Sequence, residues 1–291
     1  MPSPKLSLQT TTLWEYPSQH YGKGEQGSAD YRGATPSWVI WNLLQRYTQE
    51  SEVVVDPMCG SGTTLDVCAD TGREGIGFDL QPHHPDVVES DARDLPLEDS
   101  SVDFFFCDPP YGKNLKYSGR KECIGELDAR DQAYFDAMKE VFEEAWRVLS
   151  PGGRLLIAVP NRRGLWARIE HTPFGTGRPF SRGQLDTLLR DTMLTPVTWS
   201  DALAFPPVRR ASAIRAYSRL ERIGRRLWPA FSGVIMVEAT KKLYQGLPAD
   251  EKARERVLVP ALSPQNAAIR APRQDATDET RRVDARKTVS L

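Results

Sequence analysis

Residues 52–64 read E-V-V-V-D-P-M-C-G-S-G-T-T, and this stretch decides the fold. Three consecutive valines that end in an acid are typical of a buried strand. The glycine-rich turn leads into a predicted helix that runs to about Thr71, and residues 75–79, G-I-G-F-D, predict a second strand with an acid at its end. Strand, glycine-rich turn, helix, strand and acid together form a nucleotide-binding arrangement. We therefore expect an α/β fold.

The turn also indicates the kind of ligand. Gly60 and Gly62 would let the backbone approach a ligand closely. Asp79 follows 17 residues after Gly62 and is placed to accept hydrogen bonds from ribose hydroxyls. The pattern is not G-x-G-x-x-G, and no P-loop lysine follows it, so a nucleoside without a pyrophosphate is expected. Residues 87–89 predict a third strand, and Asp91 beyond it is either a partner for an adenine amino group or a loop carboxylate in water.

Residues 102–111 read V-D-F-F-F-C-D-P-P-Y. The phenylalanine run has the length of a buried strand, and the two prolines end it because neither can donate to a sheet ladder. Asp108 and Tyr111 should therefore lie at the carboxyl edge of the sheet, where ligands bind. Asp108 and the Pro109 carbonyl could accept both hydrogens of a planar NH₂ group, while Tyr111 stacks on its face. The alternative is an ordinary turn that opens with Asp-Pro.

Periodicity and capping signals predict the remaining elements. Ser37 is expected to cap a helix from Trp38 to Tyr47, and Pro151-Gly152-Gly153 is expected to separate a helix from a strand. The predicted helices and strands span residues 131–149 (helix), 154–160 (strand), 181–191 (helix), 194–200 (strand), 211–228 (helix) and 233–239 (strand).

Charge is distributed unevenly, although the net charge of the 291 residues is only −1. Residues 1–160 hold 14 Lys and Arg against 26 Asp and Glu, a net of −12. Residues 161–228 hold 13 Arg against 5 acids, a net of +8, and residues 229–291 hold 11 basic against 8 acidic residues, a net of +3. A basic region beside a catalytic domain is a typical footprint for nucleic acid.

Two groups of basic residues are candidates for that contact. One follows the Asp-Pro-Pro-Tyr motif and is either a single-strand or phosphate contact or a solvated loop. The other forms a stripe on the helix predicted at 211–228 and either binds phosphates or is the solvated face of a packed helix. The candidate residues are Lys113, Lys116 and Tyr117 in the first group, and Arg215, Arg219, Arg222 and Arg226 in the second.

The sequence carries no signal of a metal site or of a membrane segment. The four cysteines have no metal-like spacing, so we expect reduced thiols in a cytoplasmic protein and no metal. No apolar run approaches about 18 residues, and no hydrophobic signal core is present at the N-terminus, so no membrane partner is expected.

Residues 56–64 followed by residues 108–111 resemble the S-adenosylmethionine-dependent amino-methyltransferases of nucleic acids, in particular the DNA methylases of the adenine-N6/cytosine-N4 type. Residues 12–17 and 30–36 also resemble the region that precedes the glycine turn in that branch and lies against the methionine end of the cofactor. The resemblance covers about residues 10–160. It implies a class I, Rossmann-like methyltransferase: a mostly parallel seven-stranded sheet flanked by helices, with the last strand antiparallel.

The resemblance also implies a cofactor, S-adenosylmethionine, and a nucleic-acid partner, which the closest branch indicates to be DNA. Asp108 at the head of the motif favours adenine. A cytosine-C5 methylase would need a Pro-Cys nucleophile, which is not found here, so Cys59 and Cys107 are not expected to react. The implied cofactor-binding residues are Asp56, Pro57, Cys59, Gly60, Gly62, Thr63, Asp79, Asp91 and Ala92, and the implied catalytic residues are Asp108, Pro109, Pro110 and Tyr111.

The second half resembles a different branch. Residues 161–166, 180–185 and 222–231 are similar to type 11 class I methyltransferases, which act on varied substrates, so the chain is a natural or a constructed mosaic joined near residue 160. The expected organisation is an arm at 1–37, a methyltransferase domain at 38–245 and a disordered tail at 246–291. Three other functions stay open: RNA guanine-N2 methylation, small-molecule methylation, and cofactor binding without catalysis. The oligomeric state is not indicated.

Overall fold

A computed structural model of the protein describes residues 6, 8, 18–22, 24–28, 30–31, 33–110, 117–129, 131–164, 180–202 and 232–242. Residues 1–248 form one compact unit. Residues 249–291 are separate from this unit in the chain and lie outside the described residues. The helix predicted at 211–228 and the tail predicted at 246–291 also lie outside the described residues.

Seven strands of the described chain form one sheet in the order β3-β2-β1-β4-β5-β7-β6. Strands β1 to β5 pair in parallel, whereas β7 is antiparallel to both of its neighbours, β5 and β6. This arrangement confirms the predicted mostly parallel seven-stranded sheet with an antiparallel last strand. The strands are β1 Val53–Asp56, β2 Glu74–Asp79, β3 Val87–Glu89, β4 Val102–Cys107, β5 Leu149–Pro160, β6 Leu194–Ala202 and β7 Val234–Lys241.

Helices cover both faces of this sheet. On one face, α1 (Ser37–Tyr47) and α2 (Thr63–Asp70) pack over Phe104 and Phe106 of β4. On the other face, α3 (Gln132–Val148) and α4 (Arg182–Asp191) pack over Phe105 and Cys107. Because β4 is central and covered on both sides, its side chains form a continuous apolar run instead of an alternating one. A 3₁₀ turn, Ile124–Glu126, precedes α3.

Two local predictions were wrong. Ser37 does not cap α1: Pro36 is the N-cap residue, and the Ser37 hydroxyl donates to the carbonyl of Gln19. The strand predicted at 154–160 begins earlier, at Leu149, directly after α3. Leu149 pairs with Val102 before the register shifts, so the Pro-Gly-Gly turn is an irregularity within the strand.

The cap predicted for α4 is confirmed. Ser181 accepts a hydrogen bond from the Gln184 backbone N–H, and the Gln184 side chain accepts one from the Ser181 N–H, which forms a capping box. Among the described residues, no helix is long and apolar enough to cross a membrane.

Candidate active site

Three carboxylates stand at the carboxyl ends of three adjacent strands. Asp56 ends β1, Asp79 ends β2, and Asp108 directly follows β4. Because these strands run in parallel, their ends meet at one edge of the sheet. The three side chains line a single cavity of about 950 Å³, together with Asp91 beyond β3. That volume is at the upper end of the range of about 300–1,000 Å³ for small-molecule and cofactor sites.

Asp56 is the most enclosed of the acids at the glycine turn. Its two oxygens accept hydrogen bonds from the Thr64 hydroxyl at 2.6 Å and from the Met58 N–H at 3.1 Å. Burial raises the pKa of this carboxyl to about 7, against the effect of those donors, and the nearby Asp108 and Asp79 carboxylates raise it further. The side chain therefore titrates near neutral pH and responds to any charge placed in the cavity.

Asp79 fixes the glycine turn. Its carboxylate accepts the Gly60 N–H at 2.9 Å and the Gln81 N–H at 2.8 Å. Gly60 has φ +52°, and a Cβ there would lie 2.8 Å from ring atoms of Tyr31, another residue of the cavity wall. Glycine is therefore required at this position both by its backbone conformation and by the approach of Tyr31.

Gly62, which was predicted to bind the cofactor, lies outside the lining of the cavity, unlike its neighbours Gly60 and Thr63. Its φ is +81°, and a Cβ there would lie 2.5 Å from the ring of His84, which also pairs with Asp66 of α2 at 3.5 Å. The protein's own packing thus accounts for this glycine, and contact with a cofactor stays a prediction.

Asp91 lines the cavity but is already paired. Arg93 donates to its two oxygens at 2.9 and 2.6 Å. Partial burial opposes ionisation of Asp91, but the hydrogen bonds and charge of Arg93 outweigh it and hold the pKa of this carboxyl below its ordinary value. Asp91 is therefore an ionised acceptor whose orientation is set by Arg93. This differs from both expectations for the residue, since neither a loop carboxylate in water nor an adenine ligand was expected to be paired with an arginine. Ala92 beside it is buried and also lines the cavity.

Asp108 has a partner that the sequence did not predict. The Thr35 hydroxyl donates to its Oδ2 at 2.7 Å, and no other donor to this carboxylate is found in the described part of the chain. Burial raises the pKa of Asp108, and the Thr35 bond counteracts that rise. The nearest sequence signal was the resemblance of residues 30–36, which named the segment but gave Thr35 no role.

The remaining predicted residues are distributed as follows. Pro57, Cys59, Pro109 and Pro110 line the cavity, as does Tyr117. Tyr117 is half-buried: its ring packs on Gly125, and burial, with a contribution from Asp108, raises its pKa to about 12. A contact of Tyr117 with nucleic acid stays a prediction. Tyr111, Lys113, Lys116, Arg215, Arg219, Arg222 and Arg226 lie outside the described residues.

All four cysteines are free and buried. Burial raises the pKa of the Cys59 and Cys107 thiols well above their ordinary value. A thiol with a raised pKa supplies little thiolate at neutral pH, and the thiolate is the nucleophile. This environment agrees with the expectation that neither cysteine reacts.

The charge of the cavity wall limits the ligand. Asp56, Asp79, Asp91 and Asp108 line it, whereas no lysine or arginine is among its described lining residues. A polyphosphate would be repelled here, but a ligand with a sulfonium and an ammonium group would be attracted. S-adenosylmethionine carries both cations on a nucleoside, so the residues present fit this cofactor.

Part of the chain matches known DNA-modifying proteins. The family described as "DNA methylase", of the N6/N4 type, matches residues 3–90. The type II methyltransferase M.MjaII of Methanocaldococcus jannaschii is 26% identical over 115 residues, which are 38% of this chain and 21% of that protein. The type II methyltransferase M.MthZI of Methanothermobacter thermautotrophicus is 35% identical over 57 residues, 20% of this chain and 16% of that protein.

The predicted resemblance is confirmed. The matches also support the S-adenosylmethionine-dependent methyltransferase class and, with it, S-adenosylmethionine as the cofactor. The matched region spans about a fifth of the length of the two curated relatives. Among solved structures, a SAM-dependent methyltransferase from Archaeoglobus fulgidus is 18% identical, with 71% of this chain and 95% of that chain covered at a TM-score of 0.48.

Proposed function

We propose that the protein transfers a methyl group from S-adenosylmethionine to an exocyclic amino group of a nucleic-acid base, with adenine-N6 in DNA as the first candidate and cytosine-N4 as the second. One observation carries the proposal. Asp108 and Pro109 line the same acidic cavity as Gly60 and Asp79, at the carboxyl edge of the sheet. The proposed amine acceptors and the proposed nucleoside site would thus be contiguous.

The cofactor residues divide by chemistry. Gly60 and Thr63, at the amino-terminal end of α2, suit the carboxylate of the amino-acid part, because helix N-termini attract anions. Asp79 suits the ribose hydroxyls, and Asp91 with Ala92 suits the adenine. When bound, the cofactor supplies an electrophilic methyl group on a cationic sulfur. The Asp56 carboxylate, when ionised, stabilises positive charge in the cavity that it lines.

Asp108 and Pro109 prepare the nucleophile. The lone pair of an exocyclic amine is delocalised into the ring, so the nitrogen is planar and reacts poorly. If the Asp108 carboxylate and the Pro109 carbonyl accept its two hydrogens, the nitrogen is drawn towards tetrahedral geometry and its lone pair is freed. This is positioning with electrostatic stabilisation, and no covalent enzyme intermediate is needed. Because burial raises the Asp108 pKa, its carboxylate is also a better proton acceptor than an exposed one.

A base in a duplex must leave the stack to reach such a cavity. Tyr111 remains the predicted stacking surface. Tyr117 is a second aromatic ring and lines the cavity with Asp108. Stacking on an aromatic side chain is worth about 1–3 kcal/mol per base, which would offset part of the cost of unstacking.

Product identification tests the proposal. The full-length protein is incubated with S-adenosylmethionine that carries a labelled methyl group and, separately, with DNA, RNA, protein and metabolite pools. We expect label in DNA as N6-methyladenine or N4-methylcytosine. Label in RNA guanine or in a metabolite would replace the proposed substrate, and cofactor binding without label in any pool would contradict catalysis.

A further inference from the structure

We infer that Thr35 is a positioning residue for the proposed methyl transfer: its hydroxyl holds one oxygen of the Asp108 carboxylate and leaves the other oxygen to receive the target amine. The inference rests on the proposed function and adds a residue that neither the sequence motif nor the family resemblance assigned. Thr35 is 73 positions away from Asp108 in the chain and reaches it from the segment that precedes α1.

The contact itself is the first support. The Thr35 hydroxyl donates to Asp108 Oδ2 at 2.7 Å, the usual length of a good O–H···O bond. A carboxylate has about four acceptor positions, yet within the described part of the chain Thr35 supplies the one donor to Asp108. The side chain is half-buried and lines the cavity, so its other acceptor positions are available to a ligand there. Among the described residues, one hydroxyl therefore orients this carboxylate.

Thr35 is well placed to exert that control. Its successor, Pro36, restricts Thr35 to extended backbone conformations. On one side the Ala34 carbonyl accepts from the Gln19 side chain at 3.1 Å. On the other side the Ser37 N–H and hydroxyl both donate to the Gln19 carbonyl, at 3.0 and 3.1 Å. Both neighbours of the Thr35–Pro36 step are thus tied to Gln19, which limits the movement of the hydroxyl.

The chemistry of a hydroxyl suits the task. A lysine or arginine at this point would form an ion pair with Asp108 and weaken it as an acceptor for the amine. A neutral donor fixes one oxygen and favours the ionised form only moderately. Burial raises the pKa of Asp108, and the Thr35 bond lowers it. Within the described ranges, the other titratable groups that face Asp108 are Asp56 from β1, Cys107 from β4 and Tyr117 from the segment after β4.

The acid limb of the pH profile follows from this balance. Asp108 must be ionised to accept the amine hydrogen, so the reaction should weaken as the pH falls through the Asp108 pKa. Removal of the Thr35 hydroxyl removes an effect that lowers this pKa, and the acid limb should then move to higher pH. A role of Thr35 in folding alone would leave the position of that limb unchanged.

The experiment compares Thr35→Val, which keeps the shape but lacks the hydroxyl, with Thr35→Ser, which keeps the hydroxyl. Kinetics of DNA methylation are measured from pH 5 to 9, and cofactor affinity is measured by calorimetry. For Thr35→Val we expect an acid limb at higher pH and a kcat about tenfold lower or more, the scale of one hydrogen bond to a charged group. The dissociation constant of the cofactor should change less than about threefold, and Thr35→Ser should restore the wild-type profile.

A double mutant separates action through Asp108 from an independent effect. If Thr35 acts through this carboxylate, Thr35→Val should reduce the rate little further in an Asp108→Ala background. Full additivity of the two losses would overturn the inference. So would a Thr35→Val enzyme with a wild-type acid limb, or a Thr35→Ser enzyme as impaired as Thr35→Val. Thr35→Ala serves as a second hydroxyl-free variant if the valine enzyme does not fold.

Failure of the inference differs from failure of the proposed function. If the wild-type protein methylates no DNA, the proposed function is wrong and the inference falls with it. If the wild-type protein methylates DNA and the Thr35 variants match it at every pH, only the role of Thr35 is wrong.

Discussion

At the scale of single residues, Asp56 shows how the acidic site lowers the stability of the fold. Its carboxyl is buried beside two other acids, and only the Thr64 hydroxyl and the Met58 N–H stabilise its charge within the described part of the chain. A folded-state pKa of about 7 stands against an ordinary value of 3.8. Between these values the folded protein keeps a proton that the unfolded chain has lost. The contribution of this carboxyl to the stability of the protein is therefore highest below about pH 4. It falls as the pH rises towards 7 and is constant above that.

The substitution Asp56→Asn removes this pH-dependent cost. We expect the cofactor-free variant to be more stable than the wild type by about 1–3 kcal/mol at pH 8, since a buried carboxylate that two donors stabilise only in part is replaced by a neutral group of the same shape. The difference should diminish towards pH 5. Denaturant unfolding across pH 5–8 measures it, with exposed Asp94→Asn as the control. A stability difference that does not vary with pH would contradict the raised pKa.

At the scale of elements, the turn between β1 and α2 is held by conformation and by contact. Gly60 combines a positive φ with the close approach of Tyr31. Gly152 in β5 has a positive φ of +86°, but nothing lies within 4 Å of the position that a Cβ would occupy there. Substitution of each glycine therefore distinguishes two effects: backbone strain, which is expected at both positions, and loss of cavity shape, which is expected only at Gly60.

Both Gly60→Ala and Gly152→Ala should lose roughly 1 kcal/mol or more of stability from the left-handed backbone conformation. Only Gly60→Ala should also displace Tyr31 from the cavity wall, so only this variant should lose cofactor affinity, by about tenfold or more. Thermal unfolding and calorimetry with S-adenosylmethionine give the two quantities. Equal cofactor affinities in the two variants would show that the close packing at Gly60 does not shape the site.

The sequence predicted strands β1 to β4 well, and the reasons are physical. A strand covered on both faces needs an unbroken apolar run, as in Phe104–Phe106, and an edge that binds a nucleoside needs glycines and terminal acids. These signals are local, so they can be read without a structure. The start of β5 was missed because Pro-Gly-Gly normally ends an element, whereas here a register shift accommodates it within the strand.

Contacts between distant segments could not be predicted. Nothing in the periodicity or charge of the chain pairs Thr35 with Asp108, because a threonine has no charge partner and its spacing carries no signal. The packing of His84 against Gly62 likewise depends on two loops that meet only in the fold. The carboxylates of the site were thus foreseen, but the groups that set their orientation were not.

At the scale of the whole molecule, charge divides the sequence. The net charge of −12 over residues 1–160 suits a cationic cofactor and would repel a polyanion, whereas the net of +8 over residues 161–228 would attract one. This division supports the proposal that the second half supplies affinity for nucleic acid, although its resemblance is to another methyltransferase branch. The stripe of four arginines predicted from the sequence is the part of that half most open to test.

If Arg215, Arg219, Arg222 and Arg226 bind phosphates, their replacement by glutamine should weaken DNA binding and flatten its salt dependence. The slope of log K against log salt should fall by roughly one unit for every arginine–phosphate pair that the substitutions remove. Binding is measured by fluorescence anisotropy at several salt concentrations, with Arg46→Gln/Lys139→Gln in the acidic half as the control. An unchanged slope in a folded variant would identify the stripe as a solvated helix face.

The central claim, that Asp108 prepares an exocyclic amine for methylation, is tested most directly by the methylation rate of Asp108→Ala. The substitution removes the acceptor and leaves the glycine turn intact, so cofactor affinity should persist while methyl transfer falls by at least about a hundredfold, the scale on which a preorganised electrostatic group acts. Cys107→Ala, at the adjacent buried position, is the control and should keep a measurable reaction. An Asp108→Ala enzyme that methylates at the wild-type rate, or a wild-type product with its methyl group on carbon, would contradict the account.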